Sequence, residues 1–342
     1  MSEHAPGHNG VAYPRLNGAA ALAFLGPKDE PKFKIKKPKS ETETKVQMPS
    51  AHFESNEQAE NFMQILVGSD ALLGPEVTTS HKLRAILDTN DLDIMNEVGG
   101  FLTLTYDGDG KTSQRFKTRI PAEEQDDLEE ISAEEADLED DDPEETDPES
   151  EEDLDYSLVR TERKSEIAGL VSRPVFKAIK SDKLRGQLKA LGKDIRVQGM
   201  MDYTSHETAI VVEGVKINVS LDRVTIHSRF DDVEPITFAE MEFDTHQKGK
   251  KARRVVHELA EKVRSAFSDQ GAKISDTPKE ERLLTNEDFL GSLRADRKAA
   301  TKQAAKRAPA EDEAFIKSFL RDWLAEHSPT VEADFAEIPP PS

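Results

Sequence analysis

Between Ala122 and Asp155 the chain carries 21 Asp or Glu and no Lys or Arg. No core can absorb such a run. Like charges at that density repel, and too few apolar groups stand among them to offset the entropy of ordering the chain. Residues 122–154 are therefore expected to be a disordered insertion, and their number places them between strands rather than inside a compact unit. Any folded domain must be assembled from sequence on both sides. The same run explains the charge. A net charge of -22 over 342 residues would ordinarily argue against nucleic acid as a partner. With the run set aside the remainder is nearly neutral, so the acidity belongs to one segment. No nucleic-acid partner is expected. Hydrophobic residues at 36% and charged residues at 33% are lean for a fully globular chain, in line with part of it lying outside a core.

There is no cysteine, which excludes disulfides, thiolate metal sites and cysteine nucleophiles and fits a cytoplasmic protein. No apolar run approaches the ~20 residues that a membrane helix needs, so no membrane association is expected. The apolar stretch Ala19–Leu25 is short and has no basic region before it, and does not read as a signal peptide.

Taken in order, residues 1–40 read as a flexible basic arm with Lys28, Lys32, Lys34, Lys36, Lys37 and Lys39. A strand Glu41–Met48 follows, then a helix over Glu54–Leu66 capped by Ser55. Lys82–Leu87 is a short strand ending in the turn signal Asp88-Thr89-Asn90-Asp91. A helical turn at Leu92–Val98 leads to strands Phe101–Tyr106 and Thr112–Ile120, joined by Asp107-Gly108-Asp109-Gly110 as a hairpin turn. Beyond the acidic run, Tyr156–Glu166 resumes as a strand and Ser181–Leu191 as a helix ended by Gly192. A meander of four short strands is expected next: Asp194–Tyr203, Thr208–Glu213, Val215–Leu221 and Val224–Arg229. Its turns would be Ser205-His206-Glu207, Gly214 and Leu221-Asp222-Arg223. Strand Pro235–Phe243 and an amphipathic helix over Lys248–Phe267 complete the unit. Residues 268–342 read as a helical extension and tail. Within it, Phe315, Phe319 and Trp323 recur at spacing four on a helix over Glu311–Glu326. That stripe either docks on the domain or takes a protein partner.

Two strands carry candidate chemistry. Successive strand side chains alternate between faces, so Glu41, Glu43 and Lys45 share one face of the first strand. Glu240 and Glu242 share a face of the strand Phe238–Phe243 far downstream. Such faces are either solvated surface or the lining of a polar cavity that holds a metal and an anion.

These pieces in this order resemble the CYTH family, the triphosphate tunnel metalloenzymes, which include thiamine and inorganic triphosphatases and class IV adenylate cyclases. The resemblance rests on Glu41-Thr42-Glu43-Thr44-Lys45, on Leu87-Asp88-Thr89-Asn90-Asp91-Leu92 running into Gly99-Gly100-Phe101-Leu102, and on Arg115-Phe116-Lys117. It continues with Arg160-Thr161-Glu162, Leu221-Asp222-Arg223 and Glu240-Met241-Glu242, and covers about 41–120 and 156–267. It implies an α+β fold: an antiparallel, eight-stranded closed tunnel barrel flanked by helices, spanning 41–267 and interrupted by the acidic insertion. It further implies Mg²⁺ or Mn²⁺ held by Glu41, Glu43, Glu240 and Glu242, with Glu162 as an acidic neighbour and Asp222 as either a lumen carboxylate or a turn residue. Lys45, Lys117 and Arg160 would orient a triphosphate. Lys82 and Arg84 would add charge at the tunnel mouth, and Arg196 would be a further phosphate ligand.

The chain also departs from the family pattern. Thr103 and Thr105 stand where the family has an arginine pair, Gln198 where another base is expected, and Lys164 where a second glutamate is more usual. Each lost charge-assisted contact costs ~1.5–3 kcal/mol of ligand stabilisation. The function implied is metal-dependent hydrolysis of a triphosphate, inorganic triphosphate first. The alternative is a degenerate relative that binds a phosphorylated ligand or a protein partner without turnover. The acidic run is either an inert loop or a polyanion that competes for the basic lumen.

Overall fold

The alternation in the strands carries through to the tertiary structure, a computed structural model. It describes residues 24–25, 29–37, 39–49, 53, 57–59, 61–63, 77–106, 111–119, 158–192, 194–247, 249–299 and 302–327. The acidic run, the turn at 107–110, the tail from 328 and most of the basic arm lie outside them, as do the side chains of Glu41 and Arg160. The expected helix over 54–66 is described only at 57–59 and 61–63, where it is helical.

The protein is α+β. Ten antiparallel strands form one sheet: β1 (Phe33–Ile35), β2 (Lys39–Met48), β3 (Thr78–Asp88), β4 (Gly100–Tyr106), β5 (Thr112–Arg119), β6 (Leu158–Ile167), β7 (Arg196–Val212), β8 (Val215–Ser228), β9 (Ile236–Thr245) and β10 (Lys273–Ser275). The order across the sheet is β1-β6-β5-β4-β3-β7-β8-β9-β2-β10, with a further pairing between β6 and β2. Strand β2 lies against β9 through Thr42–Met48. It also lies against β6 through Lys39–Glu43 and against β10 through Lys45–Gln47. The basic arm is thus not wholly irregular. Its residues Phe33–Ile35 add to β6 beside Ser165–Ile167, because the backbone of a sheet edge pairs whatever the side chains are.

Two expected turns do not exist. Ser205-His206-Glu207 runs inside the continuous strand β7, and Leu221-Asp222-Arg223 inside β8. The expected four-strand meander is one long hairpin turning at Glu213-Gly214, where both residues have positive φ. The polar residues that mimic turn chemistry are instead the inward face of a sheet whose interior is polar. Asp222 is therefore a mid-strand residue.

The apolar faces point the other way, beneath helices. Helix α1 (Asp182–Leu191) is capped by Ser181, whose hydroxyl accepts from the Leu184 N–H. Its Leu184 and Leu188 pack on Leu83, Ala85, Leu102 and Leu104 of β3 and β4. Helix α2 (Lys250–Ala266) lays Val255, Val256, Leu259 and Val263 on Val46, Leu221, Met241 and Phe243. Short α3 (Glu281–Leu284) and α4 (Glu287–Ala299) cover the cavity face instead: Leu283, Leu284, Phe289 and Leu293 pack with Phe101, Met201, Val224 and Phe238, which alternate in phase with Thr103, Tyr203, Asp222 and Glu240. Helix α5 (Lys302–His327) runs unbroken through Pro309 and contains the expected helix over Glu311–Glu326. Its stripe docks on the domain: Ile316, Leu320 and Trp323 are buried in the cluster that holds α1. Ile316→Val should therefore cost about 1 kcal/mol in urea unfolding; no change would mean that α5 leaves the domain in solution. No helix among the described residues is long and apolar enough to cross a membrane.

The turn after β3 shows how the Gly99-Gly100 pair works. Gly99 takes φ +71°, which favours glycine, while a Cβ on Gly100 would stand 2.7 Å from both the Lys117 carbonyl oxygen and the Phe116 ring. Asp88 holds the same turn, accepting from the N–H groups of Thr89, Ile94 and Met95. Gln198 donates to the carbonyls of Asp88 and Thr89 at 2.9 and 3.1 Å. A base is expected at 198 by resemblance; the residue present supports backbone instead.

Candidate functional site

A cavity of about 860 Å³ lies on the polar face, lined by residues from each of β2 to β9. Nine Lys or Arg and seven Asp or Glu reach it. The alternation rule places them: Lys82 and Arg84 on β3, Arg115 and Lys117 on β5, Glu162, Lys164 and Glu166 on β6, and Glu242 and Asp244 on β9.

At its floor is a buried ionic cluster. Glu43 bridges two ammoniums, Lys45 at 2.7 Å and Lys117 at 2.8 Å. Lys45 also reaches Glu240 at 3.0 Å and Glu242 at 3.5 Å. A third ammonium, Lys279, lies 2.9 Å from Asp222, 3.1 Å from Glu240 and 2.7 Å from Glu242. Asp222 also accepts from Ser205. Glu43, Lys45, Asp222, Glu240 and Lys279 are all buried. Burial by itself would raise the carboxyl pKa of Glu240 and Glu242; Lys279 and Lys45 overcome it and hold both below the ordinary value. Burial would depress Lys279, but Asp222, Glu240 and Glu242 hold it well above the usual lysine value.

A second group stands beside this one. Burial opposes the charge on Arg84, yet Tyr203 and Glu280 raise its pKa above the ordinary value. Its guanidinium donates to Glu280 at 3.0 Å, the Tyr203 hydroxyl at 2.7 Å and Thr105 at 3.2 Å. Thr105, at an expected arginine position, is thus an acceptor for the arginine of the neighbouring strand. Toward the opening, Lys82 pairs with Glu207 at 2.8 Å and Arg115 with Glu162 at 3.3 Å. Burial and the adjacent Arg115 lower the pKa of Lys164.

The structure therefore brings Glu43, Lys45, Lys82, Arg84, Lys117, Glu162, Asp222, Glu240 and Glu242 to one cavity and its floor. The backbones of Glu41 and Arg160 are paired in register. Arg196 is elsewhere: its guanidinium pairs with Asp312 at 3.0 Å and Glu311 at 3.3 Å on α5. It is a helix-docking residue in this structure and is corrected as a phosphate ligand. Lys279, Glu280 and Arg282 are missed by sequence reasoning. The available signal was Pro278-Lys279-Glu280-Glu281-Arg282 running directly into Leu283-Leu284, charge beside an apolar anchor.

Carboxylates are the hard donors that Mg²⁺ and Mn²⁺ take. As arranged, these do not fit such an ion: among the described residues no group of three or more Asp, Glu or His is set to hold a metal. Ammonium groups stand between the carboxylates instead.

No family model matches the chain, and no curated protein matches it. Among solved structures, the PH1819 protein from Pyrococcus horikoshii OT3 aligns over 71% of this chain and 98% of its own, at 16% identity and a TM-score of 0.35. A likeness at that score carries no argument.

Proposed function

We propose that β2 to β9 close into an eight-stranded tunnel that binds a triphosphate or similar phosphorylated anion. The double pairing of β2, with β9 along one edge and β6 along the other, supports the closure. The observation that carries the ligand class is the cationic wall. Lys36, Lys37, Lys82, Arg115, Lys117 and Lys164 reach one cavity and retain partial exposure, so an anion can meet them without unfolding the floor. Lysine and arginine placed on facing strands are suited to a linear polyanion, whose charges are spaced along it. The four carboxylates of the floor, Glu43, Asp222, Glu240 and Glu242, already meet Lys45, Lys117, Lys279 and Arg282, so binding needs no further cation.

Calorimetric titration with tripolyphosphate in excess EDTA tests this. Binding is expected, weakening from 50 to 200 mM salt as counter-charge screens it. Lys164→Gln should weaken it by about ten-fold, the loss of one charge-assisted contact. Absence of binding with and without divalent cations would overturn the reading. Hydrolysis of the triphosphate with Mg²⁺ or Mn²⁺ is the second reading, and it requires the ion to displace the Lys279 ammonium from Asp222, Glu240 and Glu242. Metal-dependent phosphate release that is absent in Glu242→Gln would select it.

A further inference from the structure

The floor of the cavity is built by a segment from outside the sheet that precedes α3. Residues 276–280 follow β10, which pairs with β2, and lead into α3, whose Leu283 and Leu284 are buried against β3, β7 and β8. Between these two anchors the segment and the start of α3 place three charged side chains across the cavity. Glu280 holds Arg84 of β3 at 3.0 Å. Arg282 stacks on Phe238 with 4.3 Å to the ring centroid and approaches Glu240 at 3.5 Å. Lys279 enters the carboxylates of β8 and β9, with three ion contacts of 2.7 to 3.1 Å. Glu240 is fully buried, and its Oε2 has no hydrogen-bond partner, so the Arg282 contact is ionic only.

Three carboxylates from two adjacent strands around one cation is the arrangement in which a multivalent cation is ordinarily expected. Here the cation is covalently part of the chain. An ammonium has three donors, and this one meets three carboxylates. It is presented by backbone pinned on both sides, so little entropy opposes its staying.

We propose that Lys279 is a tethered cation occupying the position a divalent ion would otherwise take among Asp222, Glu240 and Glu242, and that it makes the site independent of divalent metal. This rests on the reading of the cavity as an anion-binding tunnel and adds its cation requirement. The charge that a bound metal would contribute beneath a polyphosphate comes from Lys45 and Lys279. Removing the Lys279 ammonium leaves carboxylates in excess and creates a divalent-cation site that the native protein lacks.

Mn²⁺ alone, titrated into the full-length protein and followed by the loss of free-ion paramagnetic resonance signal, is the direct test. The acidic run at 122–154 contributes the same weak background to every variant. The expected result is no stoichiometric site in the native protein. Lys279→Gln should gain one site, bound about ten-fold or more tighter than the background, since affinity follows ligand charge count. Lys279→Gln with Glu242→Gln should lose that site again. If Lys279→Gln folds only when Mn²⁺ is present, the proposal is equally supported. A stoichiometric site in the native protein that Glu242→Gln abolishes would overturn it, as would Lys279→Gln gaining none. No phosphate enters this experiment, so it reads the cation question even if tripolyphosphate does not bind.

Discussion

Lys45→Met is expected to destabilise the protein by about 3–5 kcal/mol, the cost of removing one partner from a buried ion pair and leaving the other charge uncompensated. Lys45 is 3% exposed and touches three carboxylates, Glu43, Glu240 and Glu242, of which Glu240 is fully buried. Methionine keeps the length and apolar stem, so the loss isolates the ammonium. Urea unfolding at pH 7 measures it. Glu43 keeps Lys117, and Glu240 keeps Lys279, so the change should not abolish folding. The double variant Lys45→Met with Glu240→Gln removes one positive and one negative charge. It should recover 1 kcal/mol or more relative to the sum of the single changes, the coupling typical of residues in one ionic network. A single-variant loss below about 1 kcal/mol would place the cluster in the range of exposed pairs, where water rather than protein solvates the charges.

The sequence pattern already held the essence of that cluster. Alternation along Glu41–Lys45 and Phe238–Phe243 put Glu43 with Lys45 and Glu240 with Glu242, and the fold unites them across 195 residues. Strand identity was legible for the same reason in β3, β4, β8 and β9, where one face is apolar and packs with the helices. Where reading failed, the interior polarity was the cause. Ser205, Glu207 and Asp222 look like turn chemistry because strands in most sheets do not carry charge inward; here inward is where the cavity lies. Arg196 sits at a plausible spacing for a phosphate ligand but lies where α5 docks, and no local pattern reports which helix will cover a strand end. Gln198 likewise reads as a lost base, yet its amide is committed to the turn after β3.

Lys279 and Glu280 were illegible for a different reason. They lie in an aperiodic stretch between a three-residue strand and a four-residue helix, and aperiodic charge normally reads as surface. Their burial follows from the anchors on either side, Lys273–Ser275 on β2 and Leu283-Leu284 in the end cluster. It is a tertiary fact. The sheet interior presents charge from its strands, and a segment that closes it must bring the complementary charge with it. The alternation of Lys, Glu and Arg across 279–282 matches the alternation of carboxylate and guanidinium that it meets.

Acid unfolding should expose that match. Burial pushes the Glu280 carboxyl up, but the Arg84 guanidinium outweighs it and holds it at about 2, against an ordinary 4.5. A carboxyl depressed in the folded state stabilises above its unfolded value, and that contribution is lost as pH falls from 4.5 toward 2. The difference corresponds to about 3 kcal/mol. Asp88 and Asp244 run the opposite way. Burial is the main cause in each, raising them from 3.8 to about 6, so the folded state binds the extra protons and their contribution to stability grows as pH falls through that window. Both are present with or without Glu280, so they cancel in a comparison. Glu280→Gln should therefore be less stable than the native protein by about 3 kcal/mol at pH 7, because Arg84 loses its ionic partner while keeping Tyr203 and Thr105. The gap should narrow steadily below pH 4.5 and close near pH 2, read from urea midpoints at successive pH values. Stability curves that stay parallel down to pH 3 would mean that Glu280 is solvated rather than buried against Arg84, and that the segment carrying Lys279 does not seal the cavity.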